Sequence, residues 1–406
     1  MTGPPIVVLD IGASKIQCLV GEARDDSRLQ VLGMGLSPCR GIRRNVVIDM
    51  PEMVSAIRAA ATEAERSAGL RITGAFAGIA GEGVATHTSR SAVAISGTSD
   101  PIDEHDVERA MAAAEEASAE GDGTVLHRFV QTYSVDGEPV QNPLWLHGNR
   151  LEVETLSATA PAHVCTTLRR AAEEAGIEIA GFILESVAAA AALLTADERE
   201  MGVALVDIGA GTTDLAAFRG TLRHVAEIPF GSEDITKVLS VVLNMSPREA
   251  EELKREYGSV CCPPSEADQN VSFHTTAGRP HTIIQHQLSA IIEARQQEIL
   301  EFVGRELEAN CKEHMLAAGI ILTGGGALLQ NLDQLGEEVL GLPVRIGVPE
   351  DISAPESVQS PECATAVGLL RFATDQAGDT PGEGILVPVQ TGRSFIDKIT
   401  GLFSFL

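Results

Sequence analysis

The chain has 406 residues, 44% of them hydrophobic, and carries 57 acidic against 30 basic side chains for a net charge of -27. That length supports two or three domains with cores of their own, and that charge excludes unguided binding to nucleic acid or to an anionic membrane surface, because the whole-protein field repels both. The seven cysteines form no C-x-x-C pair, the start of the chain has no basic-then-apolar leader pattern, and no stretch reaches the roughly 18 to 20 apolar residues of a spanning helix, which predicts a cytosolic protein with reduced thiols.

The first predicted element, "IVVLDIGASKIQCLVGEA" (6–23), is an apolar run, a D-I-G turn and a second apolar run, the pattern of a β-hairpin with a glycine turn. "VALVDIGAGTTDLAAFRG" (203–220) repeats the plan. Aligned on D-I-G, Asp10, Gly12, Ser14 and Lys15 fall over Asp207, Gly209, Gly211 and Thr212, so the spacing predicts a duplicated chain with two similar lobes. Such turns favour phosphate. In Gly12, Ala13, Ser14 and Lys15, and again in Gly209, Ala210, Gly211, Thr212 and Thr213, glycines let consecutive backbone N–H groups point into one concavity and hydroxyls add donors. Asp10 and Asp207, at the strand ends, would face a hydrated Mg²⁺, which keeps several waters and takes one or two carboxylates. The chain has only five lysines, which gives weight to Lys15 inside the first turn.

Further along, "EAEELKREYG" (249–258) puts Glu251, Lys254 and Arg255 on one helical face, where they could hold ribose hydroxyls; taken alone, the pattern is more often a solvated, ion-paired face. "IILTGGGALLQNL" (320–332) reads as a short strand, three glycines and a helix, and Gly324, Gly325 and Gly326 leave room for a base or ribose to approach the backbone at the helix start. After "ATDQAGDTPGEGILVPVQTGR" (373–393), a Gly-, Pro- and Asp-rich tether, the chain closes on "SFIDKITGLFSFL" (394–406). On a helix, Phe395, Ile396, Ile399, Leu402, Phe403 and Leu406 share one face, opposite Asp397, Lys398, Thr400, Gly401 and Ser404. Thirteen residues span only about 20 Å, so this helix is expected to lie in a membrane interface rather than cross it.

The turns, in this order, resemble the phosphate 1, phosphate 2 and adenosine motifs of the actin, Hsp70 and sugar-kinase superfamily, while "ESVAAAAALL" from Glu185 and "ATAVGLLRF" (364–372) resemble its two interlobe connectors. Within that superfamily the chain is similar to the FtsA family of actin-like bacterial cell-division proteins, through "NPLWLHGNRLEVE" (142–154), "HVCTTLRRAAEEAGIEIAGFILES" (163–186), "LTADEREMGVALVDIGAGTTDLA" (195–216) and "AAGIILTGGGALLQNL" (317–332). The resemblance implies an α/β, two-lobed actin-like (ribonuclease H-like) fold with a 1C subdomain inserted at 82–161 and a C-terminal amphipathic helix. Lobe 1A would comprise 1–81 and 162–198, lobe 2A would comprise 199–228 and 305–372, and subdomain 2B would be 229–304. It further implies ATP and Mg²⁺ between the lobes, and Glu185 as the acid that positions attacking water, although this residue heads an alanine-rich helix and hydrolysis is expected to be slow or absent. Implied partners are the C-terminal tail of FtsZ on 2B, other copies of the chain in a filament, later division proteins on 1C and membrane lipid on the tail, at the cytoplasmic face of the cell membrane at the septum; no nucleic acid is expected. The rival readings are a small-molecule phosphotransferase of the same fold and the actin-like scaffold of type IV pilus assembly. The first lacks a motif nominating a general base for an acceptor hydroxyl, and the closing apolar helix weighs against the second.

Overall fold

A computed structural model describes residues 5–24, 28–81, 83–95, 101–118, 123–311 and 315–378. The expected amphipathic helix at 394–406 and the tether from 379 onward lie outside the described residues.

The chain begins with an antiparallel meander, β1 (Ile6–Ile11), β2 (Lys15–Ala23) and β3 (Leu29–Pro38), and a small hairpin, β4 (Ile42–Arg43) and β5 (Val46–Val47). The hairpin turns through Arg44 and Asn45, both at positive φ (47° and 58°), the pair of left-handed residues that a two-residue type I′ turn demands. Helix α1 (Met50–Ala68) starts where the Asp49 carboxylate accepts from the Glu52 amide and stops at Gly69, left-handed at φ 69°. Then come β6 (Gly74–Ile79) and an inserted module of β7 (Ala85–Ala94), α2 (Glu104–Ser118), β8 (Gly123–Val135), β9 (Glu138–Val140) and β10 (Arg150–Pro161), before α3 (Ala162–Ala175), β11 (Glu178–Leu184) and α4 (Glu185–Leu193) complete the first half.

The second half repeats the plan. After α5 (Ala196–Met201) a second meander runs through β12 (Val203–Ile208), β13 (Thr213–Arg219) and β14 (Thr221–Ile228). A helical and hairpin excursion follows: α6 (Ser232–Val242), α7 (Pro247–Tyr257), β15 (Asn270–His274), β16 (Pro280–Ile284) and α8 (Gln285–Asn310). β17 (Ile320–Thr323), α9 (Leu332–Leu340) and β18 (Val344–Ile346) complete this lobe, and β19 (Ile352–Ser353) with α10 (Ala364–Gly378) returns the chain to the first. The two main sheets have strand orders β11-β6-β1-β2-β3-β19 and β14-β13-β12-β17-β18. In each, two later strands extend the first strand of the meander in parallel, β6 and β11 in one, β17 and β18 in the other. The duplication expected from the paired D-I-G motifs is therefore a duplication of sheet topology.

One buried cluster fills the first lobe and continues onto one face of the second sheet through Leu205, Ala216, Phe218 and Ile321, a second covers that sheet's other face, and a third fills the tip of the inserted module around Ile102, Met111, Tyr133 and Leu151. In α8, Leu288, Ile292, Ile299, Val303 and Leu307 recur at steps of four or seven and are buried, so one 26-residue helix ties the excursion to the second lobe. The alanines of α4 serve close packing: Gly368 of α10 sits where a Cβ would lie 1.9 Å from the Ala188 carbonyl oxygen. One expectation is corrected. The tether assigned to begin at 373 is helical as far as Gly378, because Ala373 and Thr374 are buried and the Thr374 hydroxyl donates to the Leu370 carbonyl at 2.6 Å.

Candidate functional site

The two D-I-G turns close identically. The Gly12 amide donates to the Lys15 carbonyl at 3.0 Å and the Gly209 amide to the Thr212 carbonyl at 2.9 Å, which leaves the intervening backbone of each turn to form the concavity the sequence predicts. Asp10 pairs in register with Gln17, Asp207 with Asp214. The second pair puts a further carboxylate into the cleft that the sequence reading did not single out, although the alternation of β13 could have revealed it.

Burial dominates the electrostatics. It pushes the Asp10 carboxyl up to about 7, with Lys15 opposing the shift and Asp207 adding to it. It also raises Asp207, against the pull of a Thr365 hydroxyl bond and of Lys15. Asp214 is raised well above the carboxylate range by burial and then by Glu227 and Asp207. Glu185 is raised likewise, by burial first and then by the fields of Asp10, Asp214, Asp207 and Glu227. Glu185 heads α4 with no room to spare, since a Cβ on Gly78 would lie 2.9 Å from its Oε1. A site with this many desolvated carboxylates has a strong demand for cationic charge.

The third turn packs on the second. A Cβ on Gly324, whose φ is 83°, would lie 2.2 Å from Asp207 Oδ1, and one on Gly326 would lie 2.3 Å from Ile208 Cγ2. Gly325 differs, with nothing within 4 Å of its Cβ position. Two of the glycines thus let the turn close onto β12, and the middle one faces open space. The sequence predicts that these glycines open a helix, and the structure corrects this. A 3₁₀ turn over Gly325–Leu328 follows them and α9 starts only at Leu332, because Asn331 takes a left-handed φ of 63° and interrupts the path.

A short connector, together with the first residues of α10, gathers all three turns. The Pro361 carbonyl accepts from the Gly324 amide at 3.2 Å and the Thr323 hydroxyl at 3.1 Å; Lys15 Nζ donates to Glu362 Oε2 at 2.8 Å; and the Thr365 hydroxyl donates to Asp207 Oδ2 at 2.7 Å. From the other side the β4–β5 hairpin reaches across the cleft. Asn45 Nδ2 donates to Glu227 Oε2 at 2.8 Å and Thr212 Oγ1 at 3.3 Å, and the Arg44 amide nitrogen would lie 3.3 Å from a Cβ on Gly211. Asn45, Asp214, Glu227, Glu362 and Thr365 are site residues that the motifs did not announce.

Two predicted contributors are already engaged. The Thr213 hydroxyl is fully buried and donates to the Phe230 carbonyl at 2.9 Å. Lys254 is buried on α7, its ammonium shared between Glu251 Oε2 (2.7 Å), the Ser232 carbonyl (2.9 Å) and Thr236 Oγ1 (2.9 Å). Three acceptors use all three of its donors, so Lys254 joins α7 to α6 and has no donor left for a ribose. Glu251 also accepts from Arg255 Nε at 2.8 Å, and of the three only the Arg255 side chain is mostly exposed.

A profile described as "Cell division protein FtsA" matches residues 204–368, and one described as an SHS2 domain inserted in FtsA matches residues 81–159, the range of the inserted module. The cell division protein FtsA of Pseudomonas aeruginosa is 36% identical over 382 residues, covering 93% of this chain and 91% of its own length. That of Bacillus subtilis is 36% identical over 376 residues, covering 91% and 84%. Among solved structures, the PilM–PilN type IV pilus biogenesis complex is similar at a TM-score of 0.64 with 19% identity, covering 91% of this chain and 98% of the other, and MreB5 of Spiroplasma citri bound to ADP at 0.56 with 14% identity, covering 93% and 99%. At such low identities these two establish the fold as actin-like and say nothing of pilus assembly here. The sequence relatives, alike over nine-tenths of this chain, decide the matter: the chain belongs to the FtsA family of cell division proteins.

Proposed function

We propose that the protein binds MgATP between its lobes and works in cell division as a polymer-forming adaptor, joining the C-terminal tail of FtsZ to the cytoplasmic face of the cell membrane at the septum. The observation that carries the nucleotide reading is the convergence of three glycine turns, two of identical closure, on one connector beside desolvated Asp10 and Asp207. These residues fit the ligand. The turns offer backbone donors and Lys15 a cation to phosphates, Gly325 leaves space beside the backbone, and the two aspartates suit a hydrated Mg²⁺ held through its waters. Magnesium would supply the charge that neutralises the phosphates and the acidic floor together. Glu185 would position water, and burial, with the fields of Asp10, Asp214, Asp207 and Glu227, raises its carboxyl and disfavours the charged form a base needs, which supports slow or absent turnover. Solved structures of MreB5, alike in fold, are bound to ADP and to AMPPNP, and MamK, also alike, forms a double helical filament.

The remaining roles rest on family membership and on the sequence. Subdomain 2B at 229–304, the excursion of α6, α7, the β15–β16 hairpin and most of α8, is the surface proposed to receive the FtsZ tail, and the inserted module is proposed for self-association and contacts with later division proteins. The tail at 394–406 is proposed as the lipid anchor on the strength of its one-sided apolar pattern, with Lys398 its only cation. No described helix is long and apolar enough to cross a membrane. Calorimetry tests the nucleotide site: Asp207→Ala and Gly325→Asp should each lose ATP affinity, and unchanged binding in both would show the site to be misplaced. Co-sedimentation with lipid vesicles, with and without MgATP, tests the adaptor against both the phosphotransferase and the pilus scaffold.

A further inference from the structure

Of the connector's contacts, one differs in kind from the rest. The bonds from Pro361 to the third turn use its backbone carbonyl, and Thr365 binds a half-buried aspartate whose carboxyl burial raises. The contact to the first turn is instead an ion pair between two accessible side chains: Lys15 and Glu362 are 25% and 36% exposed, with Lys15 Nζ 2.8 Å from Glu362 Oε2 and 3.3 Å from the Glu362 carbonyl. A pair of this exposure is weak and exchangeable, whereas its neighbours are not.

We propose that Glu362 is a displaceable counter-ion for Lys15, and that a polyphosphate taking Lys15 drives the Glu362 carboxylate off it. The inference rests on the nucleotide reading above and adds a regulatory element to it. Lys15 is the first residue of β2, directly after the turn whose amides would receive phosphate. An anion close enough to bond its ammonium would meet the Glu362 carboxylate at the same nitrogen, in a cleft whose floor already holds Asp10 and Asp207. Like charges at such separations repel strongly where water is scarce, and the part-exposed Glu362 has solvent to swing into. Its departure removes the connector's ion pair to the first lobe and leaves in place the ties to Asp207 and Gly324 in the second, while Val358 and Cys363 stay packed in the core of the first. By linkage, whatever holds Lys15 and Glu362 together weakens phosphate binding by the same factor.

The test titrates the full chain with MgATP by calorimetry in wild type, Glu362→Gln, Lys15→Met and the double variant, and measures each melting midpoint without nucleotide. Glu362→Gln should bind ATP about 3- to 10-fold tighter, because the competent state no longer competes with the pair. It should also melt lower without nucleotide, and its gain in affinity should vanish in the Lys15→Met background. Equal or weaker binding by Glu362→Gln, or a gain that persists without Lys15, would overturn the proposal. The same titrations with tripolyphosphate separate it from the nucleotide reading. Tripolyphosphate binding that Glu362→Gln tightens, with no ATP binding, keeps the counter-ion and removes the nucleotide; failure of Glu362→Gln to tighten either ligand overturns the counter-ion.

Discussion

His127 should make this protein acid-labile in a defined window. It lies on β8 of the inserted module, 2% exposed, against Phe372 with ring centroids 5.2 Å apart, and its Nε2 accepts the Leu184 amide at 3.0 Å, one residue ahead of Glu185. That bond requires the neutral ring, with its proton on Nδ1, and burial pushes the imidazole down from 6.5 to about 4. The unfolded chain therefore takes up a proton below about pH 6.5 that the folded chain refuses until about pH 4, so stability is complete above the window and falls as pH drops through it. Between pH 7.5 and pH 5.5 the difference comes to about one pKa unit, or about 1.4 kcal/mol from this residue alone. His127→Phe lacks the acceptor for Leu184 and should cost about 1 to 3 kcal/mol at any pH, yet it removes the titration. Urea unfolding at the two pH values, followed in wild type and variant, reads the contrast. The loss of stability on acidification should be smaller in the variant by about that 1.4 kcal/mol, and parallel losses in the two proteins would refute the reasoning.

Two other perturbations follow from the site and one from the C-terminal tail. Gly324→Ala must place a Cβ against Asp207 at a left-handed φ, so it should lose about 1 to 3 kcal/mol of stability together with ATP affinity, while Gly325→Ala should melt like wild type; differential scanning calorimetry distinguishes them. Asn45→Ala removes two hydrogen bonds across the cleft, worth about 0.5 to 1.5 kcal/mol each, and should speed release of a fluorescent ATP analogue about tenfold in stopped flow, with an unchanged rate counting against a latch. Phe403→Glu, or deletion of 394–406, should release the protein from vesicles and spare ATP binding; vesicle binding at full strength after the deletion would sink the anchor.

The sequence disclosed what is local and left dark what is not. The D-I-G turns could be read because turn closure and strand pairing are set within a few residues, and the repeat of one pattern in the other half brought the sheet duplication with it. The i, i+3, i+4 spacing of Glu251, Lys254 and Arg255 identified a shared helical face, but which way that face looks depends on α6, and α6 draws the Lys254 ammonium inward. The triglycine was legible as a close approach, though not that Asp207 is what approaches. Glu362, Thr365 and Asn45 carried no local signal at all. Their partners lie 347, 158 and 182 residues away along the chain, and only the return of the C-terminal segment to the first lobe, or the reach of the hairpin across the cleft, brings them together.

Strand β8 belongs to two cores and touches both halves of the molecule. Leu126 and Phe129 pack with the first lobe, and Tyr133 and Val135 with the module's own tip. His127 is bonded to Leu184 where α4 begins, while Gln131, the extra residue where the pairing with β10 slips, turns aside to bond the Leu222 carbonyl at 3.0 Å and Arg223 Nη1 at 2.7 Å on β14 of the second lobe. In mechanical terms this strand is a crossbar pinned near its middle to both jaws of a hinge, with its far end built into the module's tip. From the two pins to Val135 the strand runs about 13 to 26 Å, so a rotation of about 5° between the jaws would move the far end by about 1 to 2 Å. A partner gripping the tip could therefore sense, or brace against, a change in the cleft that it never touches.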